Sequence, residues 1–320
     1  MKNRNRNARN FGLRNRCIIR AGTNALREAE ASFVTQASNT SRWRQFCKFL
    51  KSEFAISDMR DVTRMHVEEY AMHLKLKLKR DEISISTAHD YLAAVNRVLE
   101  IARGDRCLRV AAVGDAGLNR RTNVAQSSKA TPATTHAAAC DRLPPHLATI
   151  IRLQRALGLR FEESLKINPS RALGEALRLG RVRIVSGTKG GRPREIEVNS
   201  PDQLAALKGA IQWQSARHSL IPEDVSYVQF KRWCYRQLEA FELTFHGERH
   251  AYANSRYRQL TGTRSPVESG KTKSSHIAEI MSSRSVNAIE AKQIDIDARL
   301  VIAEELGHSR IEISNTYLGK

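Results

Sequence analysis

The sequence lacks the features that mark several large classes of protein. Its 320 residues include five cysteines, which are scattered, odd in number and never paired as CxxC. A disulfide framework or a zinc site is therefore not expected, and a reducing compartment is favoured. No run approaches the roughly 18 apolar residues of a membrane-spanning helix. No signal-peptide core follows the basic N-terminus, and neither a complete Walker-type Gly-x-x-x-x-Gly-Lys-Ser/Thr motif nor a metal-binding set of carboxylates is present.

Acidic residues are also too few to balance the basic ones. There are 53 Lys and Arg against 33 Asp and Glu, which gives a net charge of +20 and a pI of about 10.2. Such an excess produces a positive field that attracts polyanions. A merely soluble basic protein is the alternative, but a pI this high is typical of nucleic-acid-binding domains. We therefore expect a nucleic acid as the partner and no membrane.

Residues 1–22 contain no acid and seven basic side chains interleaved with Asn. A segment of this composition has little to bury, so we predict a disordered arm. An arm that lies along DNA phosphates is favoured over a solvated tail or a nuclear-type basic signal. The basic residues are Lys2, Arg4, Arg6, Arg9, Arg14, Arg16 and Arg20.

Apolar residues recur at helical spacing over residues 23–104 and predict a bundle of four short helices. The first helix is expected over about Asn24–Gln36, and Thr63 is a plausible N-cap for the third. The basic outer faces would be merely solvated or would clamp a duplex backbone. The apolar stripes of the other three helices are Trp43, Phe46, Cys47 and Leu50; Val67, Tyr70, Ala71 and Leu74; and Ala88, Tyr91, Leu92, Val95, Val98, Leu99 and Ala102.

Residues 105–142 are rich in Ala, Thr, Ser, Gly and Asn and show little periodicity, so we predict an interdomain linker. A second domain over residues 143–320 would begin with a helix over Pro145–Leu157, ended by Gly158. Residues 181–198 alternate apolar and charged side chains around a Gly-rich centre, which predicts a β-hairpin. Further helices are expected after Ser200-Pro201, after Pro222-Glu223-Asp224, from His246 to about Leu260, and over about Asp295–Leu306.

Four short segments hold the residue types needed to exchange a phosphodiester bond without a metal. Such a reaction needs guanidinium groups for the non-bridging oxygens, a nucleophile that keeps the bond energy, and groups that move protons. Each of these residues alone is more often a surface charge, a cap or a packed ring. Together they follow one order along the chain. The segments are Gly158-Leu159-Arg160-Phe161-Glu162-Glu163, Gly187-Thr188-Lys189-Gly190-Gly191-Arg192, His246-Gly247-Glu248-Arg249-His250 and Leu306-Gly307-His308 followed by Tyr317.

These segments resemble the motifs of the tyrosine recombinases, the phage-integrase and Xer-type family. The first resembles the family's arginine box, the second its hairpin lysine, the third its HxxR box and the fourth its LGH box, with Tyr317 nine residues after His308. The resemblance implies a mainly α fold with a small β-hairpin: a SAM-like core-binding helical bundle and an α+β catalytic domain that close on DNA as a C-shaped clamp. The resemblance is strong after residue 145. Before that residue only the arrangement of a helical bundle and a basic arm is similar, and no motif is matched.

The resemblance also implies a role for each matched residue. Arg160 and Arg249 would hold the scissile phosphate, and Tyr317 would attack it to form a 3′-phosphotyrosyl bond. Lys189 would protonate the leaving 5′ oxygen, although Lys166 and Arg192 lie near it in sequence. His246 and His308 complete the catalytic set and would contact the phosphate oxygens, and one of them or His250 would assist proton removal from Tyr317. His250 and Glu163 are the supporting residues, and Glu163 would orient a neighbouring residue.

Two features depart from the family pattern. His308 lies 59 residues after Arg249, much further than the compact spacing of the family, and the excess maps to about residues 262–298. We predict a polar surface insertion or flap there. The sequence also stops three residues after Tyr317, where many relatives extend a helix into a neighbouring subunit, so the usual cyclic tetramer contacts are in doubt.

The leading interpretation is a site-specific DNA recombinase, the integrase of a mobile element. It would act on double-stranded DNA as a dimer or tetramer in the bacterial cytoplasm, associated with the nucleoid, without cofactor, metal or ATP, and with a possible accessory directionality factor. A type IB topoisomerase shares this chemistry. An architectural or regulatory DNA-binding protein on a decayed recombinase scaffold is the alternative from another class.

Overall fold

The computed structural model describes residues 4–29 and 32–320. The chain divides into two compact units, one extending to Thr122 and the other running from Asn123 to Lys320. Across the described ranges the fold is mainly helical, with one small antiparallel sheet of two strands. This confirms the mainly α fold with a small β-hairpin that was predicted from the sequence. None of the helices in these ranges is long and apolar enough to cross a membrane.

The first unit is built on four helices that bury the three apolar stripes seen in the sequence. Thr63 caps the third helix through a reciprocal contact with His66, and Gly104 ends the fourth in the left-handed conformation. The helix expected over Asn24–Gln36 is wrong, because one helix ends at Glu28 and the next begins at Phe33. Residues 30 and 31 lie outside the described ranges. The helices are α1 (Ile18–Glu28), α2 (Phe33–Phe54), α3 (Arg64–Lys79) and α4 (Ile85–Arg103).

The basic N-terminal segment does not form the arm that its charge predicts. Phe11, Leu13 and Ile18 are buried in the core of the first unit. Asn10 is also buried, and its backbone and side chain bond to Asp58 and Met59. The prediction rested on the basic residues and did not consider these three apolar side chains. Their spacing fits a short turn followed by the start of a helix. Lys2 and the other residues before Arg4 lie outside the described ranges.

The expected linker over residues 105–142 is also not a linker. Its first part packs into the first unit through Leu108, Val110, Ala116 and Leu118. Its last part is helix α5 (Ala133–Arg142), which contacts the following helix of the second unit. The boundary therefore lies after Thr122. Single buried apolar residues in irregular backbone leave no periodic signal, so composition alone suggested a spacer.

The second unit encloses its own core between helices and the hairpin. Ser200 and Pro201 begin their helix as predicted, with Gln203 completing the cap. An unpredicted helix begins at Pro169, with Asn168 as its N-cap. The helices that follow α5 are α6 (Pro145–Leu157), α7 (Phe161–Lys166), α8 (Pro169–Leu179), α9 (Pro201–Ile211), α10 (Tyr227–Leu238), α11 (Phe245–Thr261), α12 (Pro266–Ser269), α13 (Lys273–Arg284), α14 (Ala288–Glu305) and α15 (Asn315–Leu318).

The predicted hairpin is formed by β1 (Arg181–Ile184) and β2 (Arg194–Glu197). Val182 pairs with Ile196 and Ile184 pairs with Arg194, and all four side chains are buried. Side chains alternate between the two faces of a strand. The register therefore places a guanidinium, that of Arg194, on the face that packs on the core.

The segment expected as a polar insertion is folded and largely helical. It contains α12 and α13, and the first part of α14 also lies in it. Ile277, Ile280 and Ala291 form a small core of their own between α13 and α14. The last helix thus begins at Ala288 rather than near Asp295. The polar composition reflects exposed faces of short helices.

Candidate active site

Tyr317 lies on the short helix α15 and points into the second unit, with 4% of its surface exposed. The Nε of Arg249 donates a hydrogen bond to its hydroxyl oxygen over 3.2 Å. The Nε2 of His308 lies 3.4 Å from the same oxygen. The rings of His250 and His246 lie within 4.6 Å and 5.8 Å of the tyrosine ring. The structure thus gathers one tyrosine, three histidines and an arginine from two of the four segments.

Arg249 is fully buried and is held on all sides of its guanidinium. Nη1 donates to the carbonyl oxygen of Gly158 over 2.5 Å, and Nη2 donates to the carbonyl oxygen of Leu306. Burial lowers the pKa of Arg249 to about 10, with Arg160 and Arg194 contributing. The group therefore stays charged at neutral pH. Its side chain comes from α11, where His246, Arg249 and His250 fall on one face at i, i+3 and i+4.

Arg160 lies at the start of α7 and is partly exposed. Its Nη1 donates to Glu163 over 2.7 Å and its Nη2 to the carbonyl oxygen of Leu306 over 3.0 Å. Arg160 and Arg249 therefore meet on the same carbonyl oxygen. Each terminal nitrogen carries a second N–H, and the side chain of Arg160 is 23% exposed.

Glu163 is buried and forms hydrogen bonds with neighbouring groups. It accepts from the backbone N–H of Arg160 over 2.6 Å and from Arg194 over 2.5 Å. Burial alone would raise the pKa of Glu163, but the charges of Arg194 and Arg160 outweigh it and keep the pKa below its usual value. The carboxylate is therefore ionised and fixes the direction of two guanidinium groups.

Arg194 was missed in the sequence, although its position carries a signal. It stands two residues before the buried Ile196 in an alternating strand, so its charge falls on the apolar face. Its Nε donates to the carbonyl oxygen of Glu305 over 2.5 Å and its Nη2 reaches Gly158 over 3.4 Å. Gly307 has a φ of +66°, and a Cβ there would lie 2.9 Å from the Arg194 side chain. Arg194 thus packs beneath the Gly turn that presents His308.

The histidines around Tyr317 are held in their neutral form. Burial lowers the pKa of His308 to about 4, with Arg249 and Arg160 adding to the effect. Burial likewise lowers the pKa of His250 to about 4, followed by the influence of His246 and Lys129. The pKa of His246 is lowered by burial and by Arg249. The Nδ1 of His250 is buried and has no hydrogen-bond partner among the described residues, which leaves a polar atom free for a bound group.

Lys189 is the predicted residue that the structure does not bring into contact with the others. It is exposed on a single helical turn at the hairpin tip, and it makes no hydrogen bond or ion pair with the described part of the chain. The base of the hairpin is nevertheless close to the site. A Cβ at Gly187 would lie 2.8 Å from the backbone of Glu162, in the first turn of α7. The hairpin that carries Lys189 therefore packs against α7 at Gly187.

A strap over residues 123–131 was missed because it was assigned to the linker. Its Ala125 N–H donates to the carbonyl oxygen of Asn315 over 2.9 Å, in the helix of Tyr317. Its Thr131 N–H donates to the carbonyl oxygen of Gly247 over 3.2 Å, in the HxxR segment. Lys129 lies between these bonds. The strap thus ties the tyrosine helix to α11.

The arrangement provides two fixed cations, neutral imidazoles and a phenol around one point. Guanidinium groups with free N–H groups suit the oxygens of a phosphodiester. A neutral imidazole beside a phenol can accept its proton, and the phenolate can then attack. No group of three or more His, Cys, Asp or Glu side chains able to hold a metal ion occurs in the described ranges.

Comparison with known proteins agrees with this geometry. A family model described as Integrase matches residues 117–259. The matched segment contains Arg160, Lys189, His246 and Arg249, and it ends before His308 and Tyr317. The assignment of these last two residues therefore rests on the contacts above. No curated protein matches the chain.

Solved structures share the fold over nearly the whole chain. The Tn1549 transposon integrase in complex with transposon right end DNA is 10% identical, with a TM-score of 0.53 and 95% of each chain covered. The XerH site-specific recombinase bound to a palindromic difH substrate is 13% identical, with a TM-score of 0.52, covering 93% of this chain and 79% of its own. A lambda integrase dimer bound to a core site is 14% identical, with a TM-score of 0.50, covering 86% and 93%.

Proposed function

We propose that this chain is a tyrosine recombinase that cleaves and rejoins DNA at specific sites through Tyr317, and its fold and the Integrase model that matches residues 117–259 support this. The observation that carries the proposal is the contact of the buried tyrosine hydroxyl with Arg249 and His308. A DNA-binding protein that no longer cleaves DNA would not need a phenol within hydrogen-bonding distance of a buried guanidinium and a neutral imidazole. This contact therefore favours an active enzyme.

In the proposed reaction the Tyr317 oxygen forms a bond to the scissile phosphorus, and the bond from phosphorus to the 5′ oxygen breaks. Arg160 and Arg249 hold the non-bridging oxygens, whose charge grows in the transition state. The product is a 3′-phosphotyrosyl link and a free 5′ hydroxyl. Rejoining reverses these steps with the 5′ hydroxyl of another strand, so no external energy source is required.

His308 is proposed to accept the phenolic proton, since its Nε2 is 3.4 Å from the hydroxyl oxygen and its lowered pKa of about 4 keeps the ring neutral. His246 and His250 flank the tyrosine ring and are proposed to contact the phosphate. Lys189 is proposed to protonate the leaving 5′ oxygen. Because its hairpin tip is exposed, this role requires the tip to approach the DNA when the duplex binds.

The partner is proposed to be double-stranded DNA carrying paired core sites, bound by a dimer or tetramer of this chain. The charge of +20 supports a polyanion, and the basic faces of the first unit suit backbone contacts. Integration or excision of a mobile element in a bacterial cytoplasm, on nucleoid DNA and with an accessory directionality factor, is the setting that we propose.

Covalent capture tests this function directly. The probe is a pool of nicked duplexes with a randomised core, in which cleavage releases a short strand and traps the protein. The expected result is a protein–DNA adduct on a 3′ end that survives denaturation and is lost in Tyr317→Phe. Tyr235→Phe, which alters an exposed tyrosine on α10, is the matched control and should be trapped normally. An adduct that persists in Tyr317→Phe contradicts the assignment of the nucleophile.

Sequencing the trapped strands separates the two enzymatic alternatives. A recombinase should enrich a defined core with an inverted partner site, and two such sites should exchange strands. A type IB topoisomerase should instead relax supercoils with little enrichment. Binding of duplex DNA without any adduct would favour the architectural alternative.

A further inference from the structure

A buried polar network fills the space between α11, α13 and α14, outside the site described above. The hydroxyl of Tyr257 lies 2.8 Å from the Nε2 of His276 and also bonds to Asp295. Asp295 in turn accepts from the Nε of Arg299 over 2.9 Å. His276 and Asp295 belong to the segment over residues 262–298, which the family pattern does not require.

Arg299 extends this network to the helix that carries the nucleophile. Its Nη1 donates to the side-chain oxygen of Asn315 over 2.8 Å and to the carbonyl oxygen of Gly319 over 2.9 Å. These two residues stand at either end of α15, with Tyr317 between them. The Arg299 side chain is 9% exposed, and hydrogen bonds to charged groups stabilise more when they are buried. One guanidinium therefore fixes both ends of a four-residue helix, which is too short to be stable alone.

A second contact from the same segment supports α15 independently. Gly319 has a φ of +74°, and a Cβ there would lie 3.0 Å from the backbone nitrogen of Val267 in α12. The start of α12 is held in turn by Ser265, whose hydroxyl donates to Asn254 over 2.6 Å. Asn254 donates to the carbonyl oxygen of His250 over 3.1 Å. The segment thus connects the far side of α15 to the helix of the HxxR residues.

We propose that the segment over residues 262–298 is a buttress for the nucleophile, and that Arg299 is the positioning residue through which it holds Tyr317 beside Arg249. The inference rests on the proposed function of Tyr317 and assigns the segment a place in the chemistry of cleavage. It replaces the expectation of a polar surface insertion or flap. Arg299 touches no reacting atom and acts through Asn315 and Gly319.

The first test measures single-turnover formation of the covalent adduct. Arg299→Met should bind the trapped core duplex with unchanged affinity and cleave it about 10- to 100-fold more slowly, since a displacement of about 1 Å at a reacting atom costs up to about 100-fold. Arg299→Lys keeps one charged donor and should recover part of the rate. Lys292→Met, which removes an exposed cation on the same helix, should cleave at the wild-type rate. Cleavage by Arg299→Met at the wild-type rate would overturn the proposal.

A modified substrate separates a misplaced nucleophile from a general defect in catalysis. In a duplex with sulfur in place of the bridging 5′ oxygen, the leaving group departs without a proton donor. Lys189→Ala should regain its rate on this duplex, whereas Arg299→Met should stay slow because its defect lies at the attacking oxygen. Recovery of Arg299→Met on the sulfur substrate would place the defect at the leaving group and contradict the proposal.

Two further measurements keep the proposal testable if Arg299→Met unfolds or if the wild-type protein does not trap DNA. Asn315→Ala removes one acceptor on α15 and leaves the bond between Asp295 and Arg299, so a slow, fully folded Asn315→Ala supports the proposal and a wild-type rate opposes it. Fluorine NMR of protein labelled with 3-fluorotyrosine, with the Tyr317 signal assigned by Tyr317→Phe, needs no substrate. We expect one narrow Tyr317 signal that broadens or splits in Arg299→Met. An unchanged signal rejects the buttress even if no DNA is ever cleaved.

Discussion

At the scale of single residues, the unexpected feature is a cluster of three guanidinium groups around one carboxylate. Glu163 bonds to Arg160 and Arg194, and Arg249 lies 3.9 Å from it. Breaking a buried charge pair by removing one partner leaves the other uncompensated. Arg194 therefore contributes to folding as well as to the direction of Arg160.

Arg194→Met is expected to lower the free energy of unfolding by about 3 kcal/mol or more, which is the typical cost of removing one member of a buried pair. Chemical denaturation measures this value. Arg181→Met, at an exposed position on the paired strand, is the matched control and should change stability by no more than about 0.5 kcal/mol. Equal stability of the two variants would show that Arg160 alone satisfies Glu163.

The neutral histidines predict how stability depends on pH. The pKa of His308 and that of His250 are both about 4 in the folded chain, below the value of about 6.5 in an unfolded chain. The unfolded state therefore binds protons first as pH falls, and stability is lost from about pH 6.5 down to about pH 4. Denaturation midpoints at pH 7.5 and 4.5 measure the loss.

The double variant His250→Gln and His308→Gln should have a flatter profile than the wild type across that pH window. His218→Gln, which removes an exposed histidine near α9, should leave the profile unchanged. A double variant as sensitive to pH as the wild type would mean that other groups carry the loss of stability.

At the scale of elements, the sequence predicted what periodicity and caps encode. Helices α3, α4, α6 and α9 and the hairpin were found because each has an apolar period and a marked end. Helix α8 carries the same signal as α9, since Asn168-Pro169 repeats the pattern of Ser200-Pro201, and it was simply not recognised. The strap over residues 123–131 could not be found in this way, because its contacts are backbone hydrogen bonds to distant segments.

The candidate site shows the same limit. Arg160, His246, Arg249, His308 and Tyr317 were predicted from motifs that stand in a fixed order, and the structure brings them together. Arg194 and Arg299 lie outside those motifs. Each bonds to oxygens of residues outside its own helix or strand, and no local pattern records such a bond.

The strap makes a prediction for the second residue of the HxxR segment. A Cβ at Gly247 would lie 2.5 Å from the Thr131 hydroxyl and 3.2 Å from the Lys129 carbonyl oxygen. Gly247→Ala should therefore displace the strap, destabilise the fold by about 1 to 3 kcal/mol, as overpacking does, and slow adduct formation. Denaturation and single-turnover cleavage measure the two effects.

Two variants calibrate this result. Gly209→Ala, on α9 with no atom within 4 Å of the added carbon, should stabilise the helix by up to about 1 kcal/mol. Adding Thr131→Ala to Gly247→Ala removes the closest clash and should restore part of the lost cleavage rate. If Gly247→Ala and Gly209→Ala had the same stability and the same cleavage rate, the strap would move aside without destabilising the fold.

At the scale of the whole molecule, the site is assembled by contacts that converge on two backbone carbonyls. Gly158 and Leu306 each accept hydrogen bonds from arginines that lie far apart in sequence. Both carbonyls stand at helix ends, where the last oxygens lack intrahelical partners. Arginine side chains satisfy them here, so the geometry of the phosphate site is set by the ends of α6 and α14. This explains how widely separated motifs form one site.

The contacts of Tyr317 and of its helix predict which protomer supplies the nucleophile when the proposed oligomer cleaves DNA. Tyr317 is bonded to Arg249 of its own chain, and α15 is fixed at both ends by Arg299 of that chain. Tyr317 should therefore attack the phosphate held by its own Arg160 and Arg249.

A mixture of two variants tests this prediction. Tyr317→Phe keeps a complete phosphate site and Arg160→Ala keeps the nucleophile, and the mixture should form no more adduct than either variant alone. Adduct on the Arg160→Ala chain in the mixture would show that the tyrosine leaves its own site and acts on a neighbour's phosphate. Single-turnover trapping with the two chains distinguished by a mass tag reads out both results.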